Sequence, residues 1–529
     1  MSLSRVLLLL AVWMFWGVHH LEAQTASRPP NIVLFLVDDL GWRDLGCYGS
    51  TFYETPQIDQ LALEGVRFTQ AYAACHVCSP TRASILTGRY PARLRLTDWL
   101  PGRKDFPFQR LLNAEIEPHL PLAEVTLADL LREHGYATAH VGKWHLGEEP
   151  YGPTQQGFDL QVPRWNKGWP KVGHLAPFQM DGLQCEEGDY LTDRLTDEAE
   201  AFITAHQDRP FFLYLSHFAV HDPLQGRADL VAKYREKNAQ RTPTSVLPYR
   251  LEGNPDDPSP LSFDDLQRRL KKPAWSGHRL LPERTIKIKQ RQDNPEFAAM
   301  VEGVDESLGR VMNTLKELGL HERTIVVFCS DNGGMSAANF GNPERVIAER
   351  QLDRAYSTSN LPLRGAKGWL YEGGIRVPLI IRCPQCDRSG VTCEEPVIST
   401  DLFPTILELA GLPPKPDLHC DGVSLAPLMS GTGGLARDMI FWHFPHYSNH
   451  GQQSPGGAVR SGNYKLIEYF ERGTTQLFNL RQDPGERIDL SQTEPEIRDR
   501  LLARLRAWRD DVGAAGMARN PEFATQTRD

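Results

Sequence analysis

Four short, almost wholly apolar runs, each ending in an abruptly polar stretch, set the terms on which this chain folds. Asn31–Val37 (NIVLFLV), Thr138–Val141, Phe211–Leu215 and Thr324–Cys329 have the length and the β-branched and aromatic content of buried strands. Between them, Leu122–His134 and Phe297–Leu318 carry apolar residues at helical spacing. This alternation predicts an α/β fold: a large mixed, mostly parallel sheet sandwiched by helices. The strand exits matter more. Asp38-Asp39 follows the first strand, Gly142-Lys143-Trp144-His145 the second, His217 and His221 the third, and Asp331-Asn332 the fourth. Ligands of open α/β sheets sit beyond the carboxyl ends of the strands, so four polar exits point to one shared site.

At 529 residues the chain is longer than one hydrophobic core usually organises, which predicts a large domain and a smaller one. Gly431-Thr432-Gly433-Gly434 is the expected seam between residues 24–432 and 433–529. Beyond it, Met439–Phe444, Tyr464–Tyr469 and Gln476–Leu480 read as a small antiparallel sheet, and Leu490–Val512 as a terminal helix. Residues 223–295, charged and proline-bearing, read as an insertion whose structure the pattern does not specify.

At the N-terminus, Arg5 precedes the apolar run Val6–Val18, and Leu21-Glu22-Ala23 can serve as a cleavage site. Residues 1–23 therefore read as a secretory signal peptide, too short in its apolar part for a comfortable membrane span; an uncleaved anchor is the alternative. No second membrane segment is apparent, so the expected location is secreted or periplasmic. The nine cysteines can then form disulfides, although an odd count leaves at least one out. No Asn-x-Ser/Thr acceptor occurs, which favours a bacterial exported protein over a glycosylated lysosomal one. The net charge of -9 gives no global attraction to nucleic acid or anionic lipid. An anionic ligand must be held by a local cluster of Lys, Arg, His or metal.

Cys75-His76-Val77-Cys78 and the distant Cys383-Pro384-Gln385-Cys386 are CxxC pairs, open to redox or zinc readings. The residues after Cys78 favour a different one. Cys78-Ser79-Pro80-Thr81-Arg82, continuing to Thr87-Gly88-Arg89, closely resembles the signature of type I sulfatases, which have the alkaline-phosphatase-like fold. The resemblance implies that a formylglycine-generating enzyme oxidises Cys78 to formylglycine (3-oxoalanine). A hydrated aldehyde offers two hydroxyls on one carbon: one attacks sulfur and expels the alcohol, and deprotonation of the other collapses the adduct and releases sulfate. An unmodified Ser or Cys lacks that exit. Arg82 would stabilise the hydrate.

The same resemblance extends over roughly Asn31 to Leu490. It implies Asp38, Asp39, Asp331 and Asn332 as calcium ligands, with modified Cys78 completing the shell; hard oxygen donors suit Ca²⁺ better than zinc. Gly142-Lys143-Trp144-His145-Leu146-Gly147 implies Lys143 as a sulfate ligand and His145 as the group that orients or deprotonates the formylglycine hydroxyl. His221, two residues before Pro223, would donate a proton to the leaving oxygen, and His217 reads as a buried structural histidine. Leu363-Arg364-Gly365-Ala366-Lys367-Gly368 implies Lys367 as the second sulfate-binding lysine, with Arg376 in a supporting role. A serine that helps hold sulfate in some sulfatases has no evident counterpart after Gly157-Phe158-Asp159.

His443, His446 and Arg460 are candidates for a substrate-pocket rim, and aromatic and histidine groups suit sugar rings, so a sulfated carbohydrate is the expected substrate class. Two other readings stay open: a formylglycine-dependent phosphonate or phosphate ester hydrolase, and a noncatalytic exported protein that binds thiols or metal.

Overall fold

The structure is a computed structural model that describes residues 28–523 except 258–260, 263, 266–267, 269–284, 340–354, 387 and 452. The signal-peptide reading lies outside the described residues. Nine strands form the main sheet: β1 (Asn31–Val37), β2 (Val66–Tyr72), β3 (Ala137–Gly142), β4 (Leu160–Val162), β5 (Phe211–Ser216), β6 (Thr324–Ser330), β7 (Arg376–Arg382), β8 (Val391–Cys393) and β9 (Val397–Ile398). Their order is β8-β2-β7-β6-β1-β5-β3-β4, with β9 also pairing β2. All pairings are parallel except those of β7, which runs antiparallel to β2 and β6. The expected mixed, mostly parallel sheet is therefore present.

The central strands are apolar on both faces because both faces are covered. On one side Val33, Phe35 and Val37 pack with helices α4 (Leu191–Ala205) and α5 (Pro295–Glu317); on the other Ile32, Leu34 and Leu36 pack with α2 (Cys78–Thr87), α3 (Leu127–Glu133) and α6 (Leu402–Leu409). Helix α1 (Pro56–Glu64) joins the first layer. The predicted helix at Leu122–His134 starts five residues later than its apolar pattern. Thr126 caps it, accepting from the Asp129 amide while Asp129 receives the Thr126 amide, and this reciprocal cap fixes the first turn. In the stretch expected to be unspecified, helix Ala228–Ala239 and the antiparallel pair Tyr249–Glu252 with Ile286–Lys289 are formed.

The C-terminal sheet is antiparallel, in the order β10 (Met439–Phe444), β11 (Gly456–Ser461), β12 (Tyr464–Tyr469) and β13 (Thr475–Asn479), and is covered by α7 (Pro495–Asp511). Sequence patterning missed β11, whose Gly456-Gly457 start offers no side chains to alternate. Among the described residues no helix is long and apolar enough to cross a membrane.

Topology gathers the polar exits. β1, β3, β5 and β6 are mutually parallel and end level with one another, with Leu36 opposite Ser216, Ser216 opposite Gly142, and Val37 opposite Ser330. Their next residues therefore emerge at one edge. β7 runs the other way, so the loop leading into it, which carries Lys367, arrives at that same edge.

Candidate active site

Cys78 is the first residue of α2, so its side chain sits where backbone N–H groups are unpaired and favour negative charge. Pro80 is tolerated in that first turn. Arg82 follows one turn later on the same helical face. Thr81 anchors the approach by donating to the Cys75 carbonyl at 3.0 Å and accepting from the Cys75 amide at 3.1 Å. All ten residues of α2 are buried. Burial pushes the Cys78 thiol up to about 12, against the pull of Lys143 and Lys367, so as a cysteine it stays protonated and a poor nucleophile.

Three carboxylates and three cations interleave around Cys78. Arg82 donates from Nε and lies within 2.8 Å through Nη2 of Asp331 Oδ2, and Nη1 donates to the Lys143 carbonyl at 2.9 Å and to Ser216 Oγ at 2.6 Å. Lys143 Nζ is 2.6 Å from Asp38 Oδ2. Lys367 Nζ is 2.6 Å from Asp39 Oδ1 and 3.6 Å from Cys78 Sγ. Asn332 Nδ2 donates to Asp39 Oδ1 at 2.8 Å. Burial and Asp331 raise Asp38 to about 6 despite Lys143. Burial also opposes ionisation of Asp39, but Lys367 and His221 outweigh it and hold that carboxyl well below the usual range.

Local backbone explains the approach of Lys143. Gly142 has φ +111, and a Cβ there would lie 1.9 Å from the Ser216 carbonyl oxygen, so only glycine permits the Lys143 amide to bond that oxygen at 2.7 Å. Asp39 itself has φ 62, a strained conformation for a residue with a side chain, and it sits among the charges.

The two histidines differ in state. His145 Nε2 lies 2.7 Å from the Leu100 carbonyl, so that nitrogen carries the hydrogen and the buried, unpartnered Nδ1 is left as an acceptor. Burial and Lys143 hold this ring neutral. His221 Nδ1 lies 2.8 Å from Asp222 Oδ1, and Nε2 is 3.7 Å from Asp39 Oδ2. Burial and Lys367 lower His221, but Asp39, Asp222 and Asp38 together raise it above the usual imidazole value. His217 is elsewhere, buried with Nε2 3.0 Å from Ser307 Oγ, and Arg376 donates to the Thr69 carbonyl at the sheet edge.

The donor set fits a hard divalent cation. Ligand atoms of Asp39, Cys78 and His221, and of Asp38, Cys78 and Asp331, lie within 4.8 Å of one another. Asp38 Oδ1 and Asn332 Oδ1 are buried without a hydrogen-bond partner, an expense that a bound cation would remove.

The structure does not bring His443, His446 and Arg460 to an open rim. All three are buried. His443 Nε2 is 2.8 Å from the Ala515 carbonyl, His446 Nε2 is 2.8 Å from Thr97 Oγ1, and Arg460 bonds Tyr72 and Gln70. His446 meets Phe444 edge to face, and Phe444 in turn packs edge to face with His76, so this pair buttresses the segment that carries Cys78. Sequence reasoning missed Ser216, which orients Arg82, and Asp222, which faces His221. Both adjoin residues it singled out, and their position at a strand exit was the available signal.

The chain matches the family model described as Sulfatase over residues 30–412. It belongs to the sulfatase family. A second model, N-sulphoglucosamine sulphohydrolase, C-terminal, matches residues 366–511 of this sulfatase. Human arylsulfatase A is 31% identical, over 94% of this chain and 92% of its own length. Mouse N-acetylgalactosamine-6-sulfatase is 31% identical, over 91% of this chain and 86% of its own. The crystal structure of Ps i-CgsB in complex with k-i-k-neocarrahexaose superposes with a TM-score of 0.67 at 26% identity, covering 94% of this chain and 96% of that one. The sulfatase is thus a sulfuric ester hydrolase of the formylglycine-dependent type, and the buried Asp/Asp/His/Cys cluster is consistent with its formylglycine and metal site.

Proposed function

We propose that this sulfatase is an exported enzyme that removes sulfate esters from carbohydrates, using formylglycine at position 78 and a calcium ion held by Asp38, Asp39, Asp331, Asn332 and modified Cys78. The observation that carries the reading is the interleaving of three carboxylates with Arg82, Lys143 and Lys367 around a buried cysteine at a helix start. A relative named N-acetylgalactosamine-6-sulfatase and a structural neighbour solved with k-i-k-neocarrahexaose support the substrate class, and the apolar N-terminal segment supports secretion or a periplasmic location. A formylglycine-generating enzyme is the required maturation partner.

Bound calcium would neutralise a sulfate oxygen and favour deprotonation of a hydroxyl at position 78. The hydrated aldehyde would supply the attacking oxygen and, through its second hydroxyl, the route by which sulfate departs. The chain's own side chains do the rest. Lys143 and Lys367, fully buried and level with Cys78, bind the remaining sulfate oxygens, where low dielectric strengthens each contact. His145, neutral with a free Nδ1, is suited to accept a proton. His221, whose charged form is favoured by Asp39, Asp222 and Asp38 against burial and Lys367, is suited to donate one to the leaving oxygen. Arg82 fixes Asp331 and the Lys143 backbone in place.

Side-by-side assays of an aryl sulfate and an aryl phosphonate test the reaction class: hydrolysis of the sulfate is expected to be the faster, and a faster phosphonate reaction would overturn the reading. Calcium removal is expected to abolish turnover. Adding it back at about 100 times its dissociation constant should stabilise the fold by about 2.7 kcal/mol, seen as a rise in Tm. Magnesium restoring both effects at lower concentration than calcium would reassign the ion.

A further inference from the structure

Over His145 lies a loop that the catalytic reading does not use, Pro163-Arg164-Trp165-Asn166-Lys167-Gly168-Trp169-Pro170-Lys171-Val172. Gly168 rests against the imidazole: a Cβ there would lie 2.2 Å from His145 Cε1, so glycine is what permits the backbone to come this close. The His145 amide donates to the Asn166 carbonyl at 3.1 Å, and Trp165 Nε1 donates to the Trp169 carbonyl at 2.6 Å. The loop is thereby fixed to the catalytic edge, yet its large side chains are not buried. Trp169 is 40% exposed, with its ring centroid 6.5 Å from that of His145. Lys167 and Lys171 are both exposed, with their Nζ atoms 5.5 and 5.7 Å from the Trp165 ring.

Two cations are gathered on one indole, with no carboxylate partner for either among the described residues. Like charges held together repel, and an arriving anion removes that cost. Between the loop and the catalytic edge is a cavity of about 220 Å³ lined by Leu100, Pro101, His145, Glu148, Lys167 and Trp169, among others. It is below the roughly 300 Å³ of a drug-sized pocket, which suits one ring rather than a chain. Its apolar walls and indole suit the C–H face of a sugar, and Glu148 can accept from a sugar hydroxyl.

We propose that this loop is a neighbouring-sugar subsite: Trp169 stacks on the residue next to the one losing sulfate, and Lys167 with Lys171 binds a second anionic group on it. The substrate class is then an oligosaccharide with a sulfate or carboxylate on adjacent rings. The inference rests on the proposed carbohydrate sulfatase activity.

The test compares a disaccharide sulfated on both rings with the corresponding sulfated monosaccharide. In the Lys167→Met/Lys171→Met protein, which keeps both aliphatic stems, the disaccharide-to-monosaccharide ratio of kcat/KM is expected to fall about tenfold, two exposed charge pairs being lost, and its sensitivity to added salt to weaken. The same disaccharide is titrated into Cys78→Ala protein with and without the lysine changes, read by tryptophan fluorescence; weaker binding on losing the lysines is expected. If the wild-type protein hydrolyses no sulfate ester but this binding still depends on the lysines, the proposed activity fails and the subsite stands. If hydrolysis is intact while the ratio and the binding are unchanged by the lysine changes, the subsite is overturned.

Discussion

Replacing Cys78 with alanine is expected to lower aryl sulfate turnover by at least about 10⁴-fold, the scale seen when a nucleophile is removed from a catalytic constellation. The fold should survive, because the thiol is small and makes no hydrogen bond on which the helix start depends; Thr81 and the Cys75 backbone hold that turn. The companion expectation concerns the wild-type protein from a host that carries the maturation enzyme. Its peptide spanning position 78 should carry an aldehyde at that position in place of the Cys78 thiol, the neighbouring Cys75 remaining a cysteine. The electrostatics require this. Burial raises the thiol to about 12, so near neutral pH almost none is thiolate, and a protonated sulfur is a weak attacker on a crowded, anionic ester. Fully active protein whose peptide retains only unmodified Cys78 would defeat the mechanism.

Much of the site could be read before any fold was known, for a physical reason. Parallel strands buried on both faces must be apolar throughout, so a sudden Asp38-Asp39 or Asp331-Asn332 marks where the chain leaves the core. Since parallel strands end on the same side, four such exits could be placed together without knowing strand order. Lys367 obeys no such rule. It precedes an antiparallel strand, and only its motif pointed to it. Contacts made by backbone atoms were invisible: the Leu100 carbonyl sets the His145 tautomer, and no side-chain pattern announces it. The rim assignment of His443, His446 and Arg460 rested on residue type alone. Type does not report burial, and each of the three bonds an interior partner. The Trp165–Lys171 loop was missed for the opposite reason. Exposed Trp and Lys gain meaning only when the structure sets them beside His145.

Arg82 is where stability and chemistry are hardest to separate, and its removal should be the most costly single change to the fold at this site. Arg82→Ala is expected to destabilise the protein by about 3–5 kcal/mol, measured from denaturant midpoints. Its guanidinium is fully buried and occupied on three sides, by Asp331, the Lys143 carbonyl and Ser216. Taking it away strips Asp331 of its buried guanidinium partner, while the Lys143 carbonyl keeps only its bonds from Ser216 Oγ and His140 Nε2. Arg82→Lys separates the contributions. A lysine retains the charge that offsets Asp331, but a single ammonium cannot span the carboxylate, the carbonyl and the hydroxyl as the planar fork does. Much of the stability should therefore return while activity stays depressed, because Lys143 and the Asp331 ligand position remain unfixed. If Arg82→Lys instead restores turnover as fully as it restores the midpoint, charge alone suffices and the fork has no part in positioning the site. If Arg82→Ala leaves the midpoint unmoved, the buried ion pair contributes no net stability.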